Sequence, residues 1–410
     1  MSRTAAQLIS EADLERARRA IAGGTVRTPT VVSEDLGELA RGPVKLKGEC
    51  LQRTGSFKLR GVLSKVDAVG DRARDGLVAA SAGNHGRAVA KAARLRGVSC
   101  EVFMPRDAAV SKVAAVRRLG AHVNLSGSSV EEAVALASER AQRDGSVLIH
   151  PFDDLDVIAG QGTLGLELLE EVPDLARVIV PLGGGGLASG VGIALRQSGA
   201  DVQLVGVQAH ACAPYVHALE HDGPVEELPV LAGATIADGI ALKRPGTLTL
   251  ALLRELMHEV HTVSEDEIAD AMVFIAESAK LVAEGAGAVA VAALMNGRLP
   301  AVQGSTVAIV SGGNVDGGLF GAILRRRETE EGRRVRLLTR VPDRPGGLAD
   351  LLSLIAAARA NLVTLQHVRE AIPLHVRETG VELMLETRGP EHTQELVHAL
   401  EREGYEVKVE

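Results

Sequence analysis

The chain has 410 residues, of which 46% are hydrophobic and 24% are charged, enough for two or three domains with packed cores. Aromatic residues make up only 2%, with no Trp, and the formal net charge is -8. This composition excludes an aromatic stacking platform for nucleic acid and a broad basic face, so we expect no nucleic-acid partner.

Three cysteines, Cys50, Cys100 and Cys212, are odd in number and far apart in the sequence. They predict neither a disulfide framework nor a CxxC metal site. Residues 1–15 carry polar and charged side chains throughout, without the apolar run of a signal peptide. No apolar stretch approaches the roughly 20 residues that span a bilayer. We therefore expect a cytoplasmic protein with no membrane partner and no metal site.

From residue 11 onward, helical and strand patterns alternate along the chain. Helices are predicted at residues 11–22, 87–96, 110–119 and 130–143. Strands are predicted at residues 44–46, 77–80, 100–104, 147–150, 178–180, 204–207 and 307–310. This alternation indicates an α/β fold with a largely parallel sheet.

The pattern changes near the C-terminus, after a polar stretch at residues 328–334 that we interpret as a linker. Strands are predicted at 335–341, 362–368, 381–387 and 406–409, and helices at 347–360 and 392–403. The resulting order β-α-β-β-α-β is typical of a ferredoxin-like α+β domain.

Three turns of small residues follow apolar strands, at the sheet edge where α/β proteins bind ligands. They are Ser81-Ala82-Gly83-Asn84-His85-Gly86, Gly183-Gly184-Gly185-Gly186 and Ser311-Gly312-Gly313-Asn314. The tetraglycine turn precedes a helix, so its N–H groups suit an anion, although a plain tight turn fits as well. It lacks the Gly-Lys-Ser/Thr of a P-loop. It matches a dinucleotide fingerprint only loosely, because Gln208 stands where an acidic residue is expected.

Lys58 lies between Phe57 and Leu59 in a chain where lysines are sparser than arginines. If these neighbours bury it, its pKa falls and its neutral amine becomes a nucleophile. Taken alone, Lys58 fits an ordinary surface lysine better than a nucleophile.

Together these motifs give the chain a family resemblance. The run Thr54-Gly55-Ser56-Phe57-Lys58-Leu59-Arg60-Gly61 and the three turns occur in the order seen in fold-type-II pyridoxal-phosphate enzymes, which are tryptophan synthase β-like. Residues 235–241 and 263–268 resemble the threonine dehydratase (threonine ammonia-lyase) family specifically. Asp343-Arg344-Pro345-Gly346 after a predicted strand is similar to an ACT domain.

The resemblance implies a catalytic region at residues 1–327, with a smaller subdomain at roughly 50–150 inserted in a larger one. An ACT-like regulatory domain at 335–410 would follow the linker. The implied activity is pyridoxal-phosphate-dependent conversion of L-threonine to 2-oxobutanoate and ammonia, the first step toward isoleucine. The implied assembly is a homodimer or homotetramer.

The resemblance also implies residue roles. Lys58 would carry the cofactor and act as general base, and Ser311 would bond the pyridine nitrogen. The implied cofactor-binding residues are Phe57, Lys58, Asn84, Phe152, Gly183, Gly184, Gly185, Gly186, Leu187, Glu284 and Ser311. The implied substrate-binding residues are Ser81, Ala82, Asn84 and His85. The implied regulatory residues, which would take isoleucine or valine, are Pro345, Gly346, Gly347 and Leu348.

Some of these residues also fit simpler roles: His85 a helix-start histidine, Phe152 a core aromatic and Glu284 a surface carboxylate. Related serine racemases carry a second serine where this chain has Ala82, and acidic metal ligands where it has residues 208–214 without a carboxylate. A serine dehydratase or racemase on the same scaffold is the alternative enzyme. A non-catalytic amino-acid sensor is the alternative from another class, and the retained motifs argue against it.

Overall fold

The computed structural model describes residues 5–221, 223–230, 233–368 and 377–409, so the first four residues of the polar N-terminal stretch lie outside it. Two compact units divide at residues 316 and 317. Within the described ranges, no helix is both long and apolar enough to cross a membrane. No group of three or more His, Cys, Asp or Glu in those ranges is arranged to hold a metal ion.

The first unit contains ten strands and twelve α-helices among its described residues. The strands are β1 (Thr30–Val32), β2 (Val44–Gly48), β3 (Leu77–Ala80), β4 (Cys100–Met104), β5 (His122–Leu125), β6 (Val147–Leu148), β7 (Leu175–Pro181), β8 (Gln203–Ala209), β9 (Glu259–Val263) and β10 (Ser305–Val310). The helices are α1 (Glu11–Ile21), α2 (Glu34–Ala40), α3 (Lys58–Val69), α4 (Asn84–Arg96), α5 (Val110–Arg118), α6 (Val130–Asp144), α7 (Leu155–Glu171), α8 (Gly186–Gln197), α9 (Pro214–Ala218), α10 (Thr247–Leu256), α11 (Glu265–Glu277) and α12 (Gly285–Met295).

Two sheets organise this unit. The larger has the order β1-β2-β10-β7-β8-β9 and is parallel except for the β1–β2 pair. The smaller, β5-β4-β3-β6, is parallel throughout and lies in the chain between β2 and β7 of the larger sheet. Its central strands β3 and β4 are built largely from buried apolar residues, as parallel strands covered on both faces require. The predicted α/β fold is therefore confirmed.

One difference from the predicted elements bears on the site: α4 begins at Asn84 rather than at Arg87. Because β3 ends at Ala80 and α4 begins at Asn84, the turn between them is only three residues long and ends at Gly83. Asn84 and His85 are therefore held by a helix instead of a loop. A site residue on a helix is positioned more rigidly than one on a loop.

The second unit forms a four-stranded antiparallel sheet of order β12-β13-β11-β14 with helices. Its elements are α13 (Gly317–Glu330), β11 (Arg334–Pro342), α14 (Gly347–Ala357), β12 (Asn361–Val368), β13 (Glu378–Glu386), α15 (Pro390–Arg402) and β14 (Lys408–Val409). From β11 onward the order is the predicted β-α-β-β-α-β. Buried Leu337, Leu351, Leu383 and Leu396 form its core.

The stretch predicted as a linker is partly helical, because α13 continues to Glu330. Ion pairs one turn apart, Arg326–Glu330 and Arg327–Glu331, lie along the end of this helix. A charged composition is compatible with a solvated helix, and here the local pairs favour it. Only the short turn around Gly332, whose φ is +65°, separates α13 from β11.

Candidate active site

A cavity of about 500 Å³ opens at the carboxyl ends of β3, β7 and β10 in the first unit. Ligands of parallel α/β proteins bind at this edge because the strand-to-helix turns converge there. The lining includes every catalytic, cofactor-binding and substrate-binding residue named from the sequence: Phe57, Lys58, Ser81, Ala82, Asn84, His85, Phe152, Gly183, Gly184, Gly185, Gly186, Leu187, Glu284 and Ser311. The structure thus brings the separate sequence motifs to one place.

Lys58 is the first residue of α3, and the turn before it is tied to the strand end carrying Ser311. The Phe57 N–H donates to the Ser311 carbonyl at 3.1 Å, and Ser56 pairs with Gly312 as an isolated β-bridge. The Lys58 amine donates to the Pro151 carbonyl at 2.9 Å. Its surroundings hold it at the cavity wall rather than at the protein surface.

The protein around the Lys58 amine changes its acidity. Burial lowers the pKa of Lys58 to about 8, and the charge of Glu284 opposes this shift only in part. The neutral amine that a nucleophile or general base requires is therefore a minority near physiological pH, but far more abundant than in an ordinary lysine. The interpretation of Lys58 as an ordinary surface lysine is wrong.

Glu284 is 6% exposed and directly precedes α12. Its carboxylate accepts a hydrogen bond from the Asn84 amide at 2.6 Å. Burial, followed by the charge of Asp238, raises the pKa of Glu284 to about 7, while the Asn84 hydrogen bond acts in the opposite direction. The surface-carboxylate interpretation is wrong, and Glu284 can carry or lose a proton near neutral pH.

His85 is 4% exposed, and its Nε2 lies 2.8 Å from the Ile149 carbonyl. A carbonyl only accepts, so Nε2 carries the hydrogen, and Nδ1 is left as a buried acceptor without a partner among the described residues. Burial, with the Lys58 charge adding to it, lowers the pKa of His85 to about 3. His85 is therefore a neutral ring at the start of α4 that also lines the cavity.

The tetraglycine turn presents backbone N–H groups at the start of α8. Gly185 has a φ of +84°, a conformation that favours glycine. Within the described residues, the N–H groups of Gly183, Gly184 and Gly185 donate to no carbonyl or side chain. Free N–H groups at a helix N-terminus form an anion site, and a phosphate group fits it.

Ser311 is 3% exposed, and its hydroxyl makes only a long contact of 3.5 Å with the Ala286 carbonyl. It is therefore able to donate to a ring nitrogen. Phe152 lines the cavity and packs against Gly184 and Gly186, where its atoms occupy the space that a Cβ would need. The core-aromatic interpretation of Phe152 is wrong, because the residue lies against the site.

Three functional neighbours were not identified from the sequence. The Tyr215 hydroxyl donates to the Gly184 carbonyl at 3.1 Å and lies 2.9 Å from the Thr249 hydroxyl, so both residues brace the glycine turn from behind. Asn314 bonds Asn84 at 2.7 Å. Tyr215 and Thr249 carry no local signal, because only the fold brings them to the turn, whereas Asn314 belongs to a motif that the sequence does display.

Gln208, which stands where a dinucleotide fingerprint expects an acidic residue, is a structural residue here. Its amide donates to the Leu182 carbonyl at 3.0 Å and accepts from the Tyr215 N–H at 2.9 Å. It therefore joins β8 to the helix that carries Tyr215. The residues named as regulatory lie in the second unit, where Gly346, with a φ of +97°, precedes α14 and Pro345 is exposed.

Comparison of the sequence with known proteins identifies relatives of this chain. Residues 21–312 match the family described as "Pyridoxal-phosphate dependent enzyme". The chain is 43% identical over 404 residues to "L-threonine ammonia-lyase" of Thermotoga maritima, covering 98% of this chain and all of the relative. It is 40% identical over 310 residues to the catabolic L-threonine dehydratase of Escherichia coli K12, covering 74% of this chain and 92% of the relative.

Solved structures of related enzymes superpose on this chain. Maize serine racemase superposes with a TM-score of 0.72 at 33% identity, covering 78% of this chain and 99% of the racemase. A threonine deaminase from T.th. superposes with a TM-score of 0.68 at 38% identity, covering 75% of this chain and 99% of the deaminase. One scaffold thus carries both activities, and the site residues have to distinguish them.

Proposed function

The chain belongs to the pyridoxal-phosphate-dependent enzyme family, and on that premise we propose that it is an L-threonine ammonia-lyase producing 2-oxobutanoate and ammonia. The observation that carries the proposal is the Lys58 amine, whose pKa is lowered to about 8 in a cavity that also holds a free anion site. The resemblance to L-threonine ammonia-lyases over nearly the full chain supports the substrate.

Pyridoxal phosphate, when bound, supplies an electron sink that weakens the bonds at the substrate Cα. We assign Lys58 to its attachment, Gly183 to Gly186 with Leu187 to its phosphate, Ser311 to its ring nitrogen and Asn84 to its 3′ oxygen. Phe57, Phe152 and Glu284 also line the cavity and are the remaining residues that we assign to the cofactor. Each proposed contact uses a group that the cavity leaves available.

Lys58 is the proposed base that takes the Cα proton, since a neutral amine is the competent form. Ser311 sets how the reaction continues. A hydroxyl does not hold a ring nitrogen protonated as a carboxylate does, so the electron sink is weaker and prompt loss of the β-hydroxyl is favoured. The enamine that leaves the enzyme tautomerises to an imine, which water hydrolyses to the keto acid and ammonia.

Ser81, Asn84 and His85 are the proposed contacts for the substrate carboxylate, His85 through its backbone N–H because its neutral ring has no hydrogen left to donate. Ser81 accepts from the Gly83 N–H at 3.0 Å, so its hydroxyl hydrogen stays available to a ligand. At the adjacent position Ala82 has no proton to give, and a racemase needs a second acid on the opposite face. This favours elimination, with L-serine as the poorer substrate, over racemisation.

The second unit supports a regulatory proposal. Its β-α-β-β-α-β order suits an ACT domain that binds isoleucine or valine beside Pro345, Gly346, Gly347 and Leu348. We propose end-product control of an isoleucine-forming pathway in a cytoplasmic homodimer or homotetramer. Threonine turnover with added isoleucine or valine tests this, with Leu348→Asp as the variant in which the response should disappear. A wild-type enzyme unaffected by both would refute it.

The experiment for the activity is the Lys58→Ala variant, assayed for keto-acid release from L-threonine and L-serine. We expect loss of the visible absorbance of the bound cofactor and at least a roughly 10³-fold fall in kcat, because attachment and base are lost together. Lys65→Ala, on the same helix but paired with Asp154 and Asp156, is the control and should keep both. Full turnover by Lys58→Ala would refute the proposal.

A further inference from the structure

Asn84 has a side-chain amide whose orientation decides what it offers to the cavity. One end of an amide only donates and the other only accepts, so a rotation of about 180° exchanges the two. In the structure Nδ2 faces Glu284 at 2.6 Å and Oδ1 faces Asn314 at 2.7 Å. In this orientation the second N–H of Asn84 remains available to a ligand.

Glu284 does not fix this orientation by itself. Its pKa is raised to about 7, so near neutral pH it is present both as a carboxylate and as an acid. The carboxylate accepts from the Asn84 N–H, but the acid is able to donate to the Asn84 oxygen in the flipped state. The group that selects one orientation has to lie on the other side of Asn84.

Asn314 lies on that side, and its own orientation is set by two partners of fixed polarity. Its Oδ1 accepts from the Arg87 guanidinium, which carries donors only. Its Nδ2 donates to the Thr54 carbonyl at 2.8 Å, and a carbonyl only accepts. Rotation of the Asn314 amide would place oxygen against oxygen and nitrogen against guanidinium.

We propose that Arg87 is a positioning residue that fixes the Asn84 amide through Asn314, so that an Asn84 N–H faces the cavity. Neither Arg87 nor Asn314 lines the cavity, so both act through Asn84. The inference rests on the proposed cofactor contact of Asn84. It assigns a task to an arginine that no motif in the sequence singled out.

The test uses titration of cofactor-free protein with pyridoxal phosphate, followed by fluorescence quenching and by the position of the visible band. Arg87→Met keeps an unbranched apolar side chain but no donor, and it should weaken cofactor binding roughly 10-fold, the effect of one correctly oriented hydrogen bond. Arg87→Lys retains a donor-only cation and should recover most of the affinity. Asn314→Leu should match Arg87→Met.

The double variant Arg87→Met/Asn314→Leu should bind pyridoxal phosphate about as tightly as whichever single variant has the lower affinity. Both substitutions interrupt the same chain of hydrogen bonds from Arg87 through Asn314 to Asn84, so their effects should not add. Arg118→Met is the matched control, because it removes an exposed positive charge near Arg87 without touching the Asn314 hydrogen bond. Burial lowers the pKa of Arg87, and the nearby positive charge of Arg118 lowers it further. Removal of the Arg118 charge should leave cofactor affinity unchanged. The melting temperatures of the cofactor-free forms then separate loss of folding from loss of orientation.

Three results would overturn the proposed positioning role of Arg87. They are additive losses of cofactor affinity in the double variant, a loss in Arg118→Met equal to that in Arg87→Met, and no recovery of affinity in Arg87→Lys. Unchanged affinity in Arg87→Met would do so too. The proposed function has its own test, which does not depend on the Arg87 variants. It is refuted if the Lys58→Ala variant retains full turnover.

Discussion

Two groups of buried ionisable residues each include one residue from the first turn of α3, and the protein treats the two groups in opposite ways. The paired cluster consists of Lys47, Glu49, Arg60, Glu167 and Glu171, among which Lys47, Glu49 and Arg60 have fully buried side chains. The ionisable residues of the cavity, here called the cavity charges, are Lys58, Glu284 and His85, of which His85 is neutral at physiological pH. Lys58 and Arg60 are two residues apart, yet one faces a cavity and the other faces two carboxylates.

In the paired cluster each charge has a close partner. The Arg60 guanidinium bonds Glu49 at 2.8 and 2.9 Å and Glu167 at 2.6 and 3.0 Å, so it makes two bidentate pairs. Burial pushes the pKa of Glu49 upward, but the charge and hydrogen bonds of Arg60 outweigh it and the pKa is lowered. The cluster stays ionised and ties α3 to β2 and α7.

The cavity charges lack such compensation, so burial dominates them. The pKa of Lys58 falls to about 8, that of Glu284 rises to about 7 and that of His85 falls to about 3. Partners, rather than burial alone, therefore decide whether a buried group serves structure or chemistry. Substitutions made separately in the paired cluster and among the cavity charges therefore test whether partners stabilise the first group and burial shifts the pKa values of the second.

Arg60→Met should produce the largest change in stability. It leaves Glu49 fully buried without its bidentate partner, and breaking a buried pair from one side costs about 3–5 kcal/mol. Urea unfolding of the cofactor-free protein measures the loss. The double variant Glu49→Gln/Arg60→Met removes the stranded charge and should recover part of it. A loss below about 1 kcal/mol in the single variant would contradict the role of the paired cluster.

Glu284→Gln should raise the free energy of unfolding. The folded-state pKa of about 7 exceeds the ordinary 4.5, so between these pH values the folded state holds a proton that the unfolded chain has lost. The free energy of unfolding of the wild-type chain therefore falls as pH rises through this window. Above pH 7 the variant should be more stable by roughly 2 kcal/mol.

The check on Glu284→Gln is urea unfolding at several pH values between 4.5 and 8 in cofactor-free protein. The amide introduced by this substitution does not titrate, so the slope should flatten in the variant. Exposed Glu277 provides the matched control, and Glu277→Gln should stay within about 0.5 kcal/mol of wild type. Equal pH slopes in wild type and Glu284→Gln would show that Glu284 is not an uncompensated charge.

The smallest effect is expected at the cavity mouth, where Lys112 pairs with Asp238. Both side chains are partly exposed, at 29% and 57%. A double-mutant cycle of Lys112→Gln and Asp238→Asn should give a coupling of about 0.2–1 kcal/mol that decreases with salt. A coupling above about 2 kcal/mol, or one insensitive to salt, would place this pair with the paired cluster instead.

The sequence predicted the α/β fold, the second α+β unit and about half of the residues that line the cavity. The family resemblance supplied the site residues, and the position of three motifs next to strand ends agreed with it, because the strand ends of parallel sheets meet at one edge. The sequence did not predict that α4 begins at Asn84, since Gly83 resembles any turn glycine. The paired cluster was also missed, because Lys47, Glu49 and Glu167 lie far apart in the chain and only packing of β2, α3 and α7 joins them.

The titration of Lys58 tests most directly the claim that the cavity charges are uncompensated. Acylation of the Lys58 amine in cofactor-free protein, followed by mass spectrometry of its peptide across pH, reports the neutral fraction. We predict half-maximal reactivity near pH 8, where the lowered pKa of Lys58 lies. A midpoint near the ordinary value of 10.5 would contradict the claim and leave Lys58 no different from a surface lysine.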